Sequence, residues 1–578
     1  MKSIFTCLLF VSISIFAANA QTNTISTNPI AEQIMLGNYD PAAYTPSVVI
    51  SHPDDIVPAI ISGISPDSLK SYLLQLSTFE NRNTGADTVS NLTGMGAARR
   101  WVHQRFSEIA AQSGGRLVPS YLQFDQNICG MGQHRNIFAV LPGLDKSAQG
   151  VILIEAHIDS RCEVLCDINC AAHGMEDNGS GTALVIELAR VMSQFALDRT
   201  VVFMATIGEE QGLFGADAFA KYAKSKGIPL VAVLNNDVIG GIICGQTSSP
   251  PSCPGFNQID STQVRLFSQG SFNSPHKQLS RFIKLQYQEE ALALSAVPMM
   301  VTIMSAEDRT GRGGDHIPFR QQGFAAMRFT SANEHGNADV ASPNYHDRQH
   351  TSDDFLGVDT DGDGQLDSFF VDFNYLSRNT VINGVAAAMA AIGPAPVDLS
   401  AVKSSDSVFV DIIDPNNYGL YRVFVRSTTN DFDSLFTTTQ TGFSFARPSG
   451  LFFVSAASVD ENGIESLFSK EVNPPTVNAT GEAVAQELPA VELLQNRPNP
   501  FDEATIISFL VNRELTYKKA MLAISDMQGR ILWQQDLQLK TGMNEVLYEH
   551  GYNVTGIYAY SLIIDGRVMG VKEMVFAN

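Results

Sequence analysis

The chain has 578 residues, long enough at about 100–200 residues per domain for roughly three domains. Hydrophobic residues make up 44% of it and charged residues 17%, which supplies apolar material for packed cores and excludes disorder by composition. Asp and Glu outnumber Lys and Arg by 60 to 38, a formal charge of −22; such a surface repels phosphate backbones, so nucleic acid is excluded as a partner.

Lys2, the apolar run from Ile4 to Ala17 and the small residues Ala18-Asn19-Ala20 read as a secretory signal peptide over residues 1–20, with a mature chain starting at Gln21. No later stretch reaches the roughly 18 uninterrupted apolar residues of a membrane span, so the expectation is a soluble protein, secreted or held at the outer cell surface. Of 7 cysteines, Cys7 falls in the signal, leaving Cys129, Cys162, Cys166, Cys170, Cys244 and Cys253. An even number in an oxidising compartment reads as disulfides, with Cys244 and Cys253 closing a short loop and the other pairings open. The alternative is a thiolate metal cluster at Cys162, Cys166 and Cys170, but their spacing is wider than the usual Cys-x-x-Cys pairs.

Residues 21–45 are polar and rich in Thr, Asn and Pro, which suits an ordered arm, a leader or a propeptide. From 46 to 393 helical patterns alternate with short apolar runs, predicting an α/β domain with a mostly parallel sheet flanked by helices. Ala97, Ala98, Trp101, Val102, Phe106 and Ile109 share one helical face. Val151-Ile-Leu-Ile154, Val201-Val-Phe-Met204 and Leu230-Val-Ala-Val-Leu234 suit central strands buried on both faces, with helices over 181–192 and 214–225 between them. Past Pro394 and Pro396 the pattern turns to short strands, including 408–413, 420–425 and 451–456, predicting a small fibronectin type III-like sandwich over 397–472. A linker over 473–490 leads to a second small all-β domain over 491–578, with strands near 505–511, 520–526, 530–535, 556–564 and 571–576.

Three of the apolar runs are followed by acidic or imidazole groups: His157 and Asp159, Glu209 and Glu210, and Asp237. In open α/β sheets such groups meet at the carboxyl ends of the strands. Asp177 lies in the glycine-rich turn Gly174-Met-Glu-Asp-Asn-Gly-Ser-Gly181, and His350 lies in a late loop. Taken singly each is better explained as a cap, a turn former or a surface charge. Together they can hold two zinc ions, one on His157 and Asp237 and one on Glu210 and His350, with Asp177 bridging. Glu209 is then the general base toward a shared water, and Asp159 the acceptor that orients His157.

These residues resemble a known family. Ala156-His-Ile-Asp-Ser160, Glu176-Asp-Asn-Gly-Ser-Gly181, Gly208-Glu-Glu-Gln-Gly-Leu-Phe-Gly215, Asn236-Asp-Val-Ile-Gly240, Asp315-His-Ile-Pro-Phe319 and His350-Thr-Ser-Asp353 are similar to the motifs of co-catalytic di-zinc exopeptidases, the family of bacterial leucyl aminopeptidases, aminopeptidase S and glutamate carboxypeptidases. The resemblance implies a zinc exopeptidase fold over 46–393, metal ligands at His157, Asp177, Glu210, Asp237 and His350, the base at Glu209 and support from Asp159. It also implies aminopeptidase action on peptide substrates, through a hydroxide bridging two zinc ions. His346 rivals His350 by spacing; Thr351 and Asp353, which follow His350 as in the family pattern, favour the latter. Gln349 stands where some relatives carry an oxyanion-binding Tyr, and Arg161 to Ala172 is an insertion between the first two motifs.

Asp359, Asp361, Asp363 and Asp367 occupy oxygen-ligand positions of a calcium loop with Gly364 closing the turn, but Phe370 replaces the bidentate Glu; the segment is a structural Ca²⁺ site or an acidic turn. At the end of the chain, Leu494-Gln-Asn-Arg-Pro-Asn-Pro-Phe501, Asp526-Met-Gln-Gly529 and Gly556-Ile-Tyr558 look like the carboxy-terminal domain recognised by the type IX secretion system, which implies a secretion machinery as partner. Two other functions fit the same chain: a glutaminyl cyclase-like transferase with a single zinc, and an inactive surface-displayed binding or adhesive protein.

Overall fold

A computed structural model of the chain describes residues 21–243, 258–270, 273–309, 313–332, 348–477, 490–497, 499–501, 504–526, 530–550 and 555–576. The signal segment, Cys244 with Cys253, and His346 lie outside the described residues.

The α/β body is built on one nine-stranded sheet: β1 (Thr22–Ser26), β2 (Val118–Ile128), β3 (Met131–Leu141), β4 (Val151–His157), β5 (Thr200–Thr206), β6 (Leu230–Asn236), β7 (Gln263–Phe267), β8 (Met300–Ile303) and β9 (Ala326–Ser331), in the order β1-β2-β3-β5-β4-β6-β9-β7-β8. Its centre, β5-β4-β6-β9, is parallel. The three apolar runs of the sequence are β4, β5 and β6, and every residue of β4 and β5 is buried, as strands covered by helices on both faces require. Helices Ser180–Met192 and Phe214–Lys226 connect them. The alanine-rich helix Phe373–Ile392 packs on helices Pro66–Ser77 and Ser180–Met192, its small side chains allowing close approach.

On either side of this centre the pairing turns antiparallel, at β1-β2-β3-β5 and at β9-β7, while the outermost pair β7-β8 is again parallel. β2 and β3 form a hairpin whose two turn residues, Cys129 and Gly130, both have positive φ (48° and 84°), the backbone a tight two-residue turn requires. Residues 22–26, the first part of the segment 21–45 read as arm, leader or propeptide, pair with β2 as the edge strand. No helix among the described residues is long and apolar enough to cross a membrane.

Beyond the body, two three-stranded antiparallel sheets (398–403, 407–413, 442–446 and 421–426, 434–438, 453–458) face one another over Val408, Val410, Val423 and Val454. A further pair of sheets, of three and four strands, encloses Ile507, Leu522, Tyr560 and Leu562. Two of these strands, Val491–Leu493 and Gly542–Glu549, were not expected from the sequence.

The first β-domain is joined to the body by a buried polar seam. Glu471, 3% exposed, receives Asn273 N at 3.1 Å and Arg426 Nη2 at 2.8 Å, and pairs with Arg281 Nη1 at 3.2 Å from helix Pro275–Gln286. Gln286 Nε2 donates to Glu465 Oε2 at 2.8 Å and Gln278 Nε2 to Ser469 O at 3.0 Å. Ile464 belongs to the core of the body, and Leu467 and Phe468 pack against it. The pairing of one buried carboxylate with two buried guanidiniums makes Glu471 the keystone, so Glu471→Gln is expected to lower the first unfolding transition of the chain by about 3 kcal/mol or more, because two cations lose their counter-charge. Urea denaturation measures this; a loss under about 1 kcal/mol rules the keystone role out.

Candidate metal centre

His157 ends β4, Glu209 and Glu210 follow the end of β5 at Thr206, and Asp237 follows the end of β6 at Asn236. Since these strands run parallel, their carboxyl ends form one rim, and the groups gather there. Asp177 sits on the turn between β4 and helix Ser180–Met192. Gly174 enters that turn at φ +53°, and a Cβ there would lie 2.4 Å from Ser160 Cβ. Gly181 lets the helix approach β6: a Cβ would stand 2.4 Å from Asn236 O, and Asn178 Nδ2 bridges to that same oxygen at 2.8 Å. His350 is delivered by the late loop with its own φ at +60°.

His157 Nε2 lies 3.1 Å from Asp177 Oδ1 and 3.2 Å from Asp237 Oδ1. His350 Nε2 lies 3.1 Å from Asp177 Oδ2 and 3.3 Å from Glu210 Oε2. Asp177 therefore turns one oxygen to each imidazole. Ligand atoms held tetrahedrally about 2.0–2.1 Å from zinc stand roughly 3.3 Å apart, which matches these four imidazole–carboxylate distances. Glu209 joins the inner group: His157, Glu209 and Asp237 can bring ligand atoms within 4.8 Å of one another.

The inner imidazole is fixed from behind. His157 Nδ1 is 3.0 Å from the main-chain oxygen of Asp159, which places the proton on Nδ1 and the lone pair on Nε2, facing the carboxylates. The sequence reading assigned that orientation to the Asp159 side chain; its Oδ1 is farther, at 3.7 Å. Its carboxylate instead accepts Glu209 N at 3.3 Å, Glu210 N at 3.2 Å and Thr84 Oγ1 at 3.2 Å, and so shapes the loop that carries both glutamates.

Carboxylates outnumber cations around this point. Burial pushes the Glu209 and Glu210 carboxyls well above their ordinary range, and that of Asp315, which accepts from Thr206 Oγ1, up to about 7. Burial opposes charge on His157, yet Glu209 and Asp237 hold its imidazole well above its usual value. Glu210 Oε1 is buried with no hydrogen-bond partner. An excess of negative charge, two opposed imidazoles and an orphaned ligand oxygen form a donor set that fits zinc.

Three supporting residues escaped the sequence reading. Arg82, fully buried, donates to Ile158 O and Gly174 O, both at 2.8 Å, and to His173 O, tying the end of β4 to the turn of Asp177. Asp354 accepts Glu176 N at 2.9 Å and Asp177 N at 3.0 Å, whereas Asp353, singled out by the motif, is exposed. Arg328 pairs with Asp237 Oδ2 at 3.0 Å and with Asp308 at 3.1 Å. Their partners are main-chain groups or distant acids; the signals available were only an Arg between two Asn and a doubled Asp.

The remaining candidates lie apart. Asp359, Asp361 and Asp367 cluster on a loop, and Asp363 is not grouped with them. Asp359 accepts Gly362 N and Gly364 N at 2.7 and 2.8 Å, and Asp367 accepts Thr360 Oγ1 at 2.7 Å, so these carboxylates order their own loop. The insertion is bonded by Cys129–Cys166 and Cys162–Cys170, so these cysteines are disulfides and not a thiolate cluster.

Comparison with known proteins gives three findings. The family described as peptidase family M28 matches residues 136–249. A protein of Pyricularia oryzae bearing the name probable zinc metalloprotease is 31% identical over 386 residues, covering 64% of this chain and 73% of its own length. Among solved structures, the LapA aminopeptidase of Legionella pneumophila is 18% identical, covers 60% of this chain and 78% of its own, and has a TM-score of 0.43; a Porphyromonas gingivalis glutaminyl cyclase is 18% identical over 56% of this chain and 98% of its own, with a TM-score of 0.38.

Replacing Arg82 by Met would leave Ile158 O and His173 O without the Arg82 donor, while Gly174 O keeps Gly179 N at 2.8 Å. The expected loss is about 2 kcal/mol or more, since each unmet buried acceptor costs about 1–3 kcal/mol. Chemical denaturation of the purified variant checks this, and wild-type stability would refute the tie.

Proposed function

Since the chain belongs to peptidase family M28, a family of zinc metalloproteases, we propose that it is an aminopeptidase that holds two zinc ions and releases N-terminal residues from peptides. The observation that carries this reading is the division of Asp177, one oxygen 3.1 Å from His157 and the other 3.1 Å from His350. His157 and Asp237 would hold the inner ion and Glu210 and His350 the outer, with Asp177 serving both. Bound zinc supplies Lewis acidity, lowering the pKa of water and polarising a carbonyl.

The chain's own groups do the rest. Glu209, beside His157 and Asp237, takes the proton of the attacking water on its carboxylate and returns it to the departing amine. Asp159 holds the main chain of Glu209 and Glu210 in place, and its main-chain oxygen keeps the His157 tautomer. Arg328 occupies Asp237 Oδ2 and leaves Oδ1 toward His157. The preference for free N-termini rests on the motif resemblance.

We also propose export, with residues 1–20 as signal peptide and the domain from 491 onward as the element read by a type IX secretion machinery. The two disulfides favour an oxidising compartment.

Glu209→Gln removes the base and spares the ligands. The expectation is wild-type zinc content, two ions per chain, with turnover of free aminoacyl reporters lowered at least about 100-fold. Metal analysis beside a panel of N-terminally free and blocked substrates makes the test. Undiminished turnover with zinc bound would remove Glu209 from the chemistry, and one zinc with cyclisation of an N-terminal Gln peptide would move the assignment to a transferase.

A further inference from the structure

Arg161, the first residue of the insertion, has no part in the reading above, yet its guanidinium lies against the outer half of the centre. Nε is 3.0 Å from Glu210 Oε2, the oxygen that stands 3.3 Å from His350 Nε2, and Nη2 is 2.7 Å from His350 Nδ1. The inner half is arranged differently. There Arg328 contacts Asp237 through Oδ2 and leaves Oδ1 to His157, and His157 Nδ1 faces a main-chain oxygen, an acceptor.

This contrast sets two oppositions. The Glu210 oxygen turned to His350 is Oε2, so an ion seated between the two would share that oxygen with a guanidinium, two cations on one ligand atom. Oε1 is free of Arg161 but is not the oxygen that faces His350. An imidazole that gives its Nε2 lone pair to a metal carries its proton on Nδ1, and Arg161 meets that nitrogen with another donor. Nor can the side chain's anchor drift: Ser160 and Cys162 are buried on either side, Ser160 Oγ donates to Ala172 O at 2.6 Å, and the loop is closed by Cys162–Cys170 and bonded to the β2–β3 turn by Cys129–Cys166.

We infer that Arg161 is a positioning residue that makes the two zinc subsites unequal: it serves Glu210 and His350 as a built-in counter-cation, so that the outer ion binds more weakly than the inner and must move the guanidinium aside. The inference rests on the two-ion reading. Its sign is diagnostic, because a residue that merely braces its ligands loses metal affinity when removed, whereas a competing cation gives affinity back.

Zinc titrated into the chelator-stripped full chain, followed by calorimetry and by competition with a metal-sensing dye, resolves the two steps. In Arg161→Gln the weaker step is expected to tighten by about 10- to 100-fold, the scale on which groups next to metal ligands act, with the tighter step unmoved. Arg161→Lys, which retains the charge, keeps the wild-type gap between steps. Stripped Arg161→Gln melts below stripped wild type, since Glu210 loses its partner, and the zinc-saturated proteins melt together. A weaker step that stays put or loosens in Arg161→Gln, or a gap that closes in Arg161→Lys, overturns the inference and leaves the two-ion reading standing. A single binding step of one ion in wild type and variant alike overturns both.

Discussion

One carboxylate, Asp177, has to reach two imidazoles that arrive from distant parts of the chain, and much of the surrounding architecture answers to that demand. The turn bearing it is held at both flanks: Arg82 fastens Gly174 to the end of β4, and Asp354 caps the amides of Glu176 and Asp177. Gly181 then brings the following helix close enough for Asn178 to lock onto β6. Each fastening uses main-chain groups, so the carboxylate is aimed by backbone and not by side-chain packing alone. The parallel centre of the sheet supplies the other half of the geometry, since only parallel neighbours place His157, Glu209 and Asp237 on the same rim.

Electrostatics divides the centre into halves of different character. The inner half is closed: His157 and Asp237 are buried, and the arginine behind them takes the oxygen turned away. The outer half, where the Glu210 side chain is buried and the His350 side chain is 11% exposed, lies beside a disulfide-bonded loop whose arginine reaches into it. Peptide chemistry needs both an enclosed charge cluster and an approach for substrate, and the asymmetry of the two halves meets both needs.

The central strands and helices were readable because burial on both faces leaves an unbroken apolar run, as in Val151 to Ile154, and because amphipathic helices repeat. The rim residues were readable because each followed such a run. The antiparallel flank β1-β2-β3 was not: the β2–β3 turn is Cys129-Gly130, with no Asn-Gly or Asp-Gly to announce it, and β1 is a polar edge strand that composition reads as a leader. Arg82, Asp354 and Arg161 were hidden for another reason. Their significance lies in which carbonyl, amide or ligand oxygen they meet, and that is settled only when segments tens to hundreds of residues apart are brought together. Asp159 illustrates the same limit within one motif, for its main-chain oxygen and its carboxylate serve different neighbours.

The seam around Glu471 also bears on how such a protein can be recombined. The first β-domain lends Ile464 to the core of the body and supplies Glu471, which pairs with Arg281 there as well as with its own Arg426, so a shuffling event that separated body and domain would strand charged side chains in both pieces. The last domain encloses a core drawn from residues after 490, yet it is tied to what precedes it: Arg497 Nη2 donates to Thr428 Oγ1 at 2.6 Å and Glu545 lies by buried Lys277 of the body, so exchanging this domain would have to preserve those contacts.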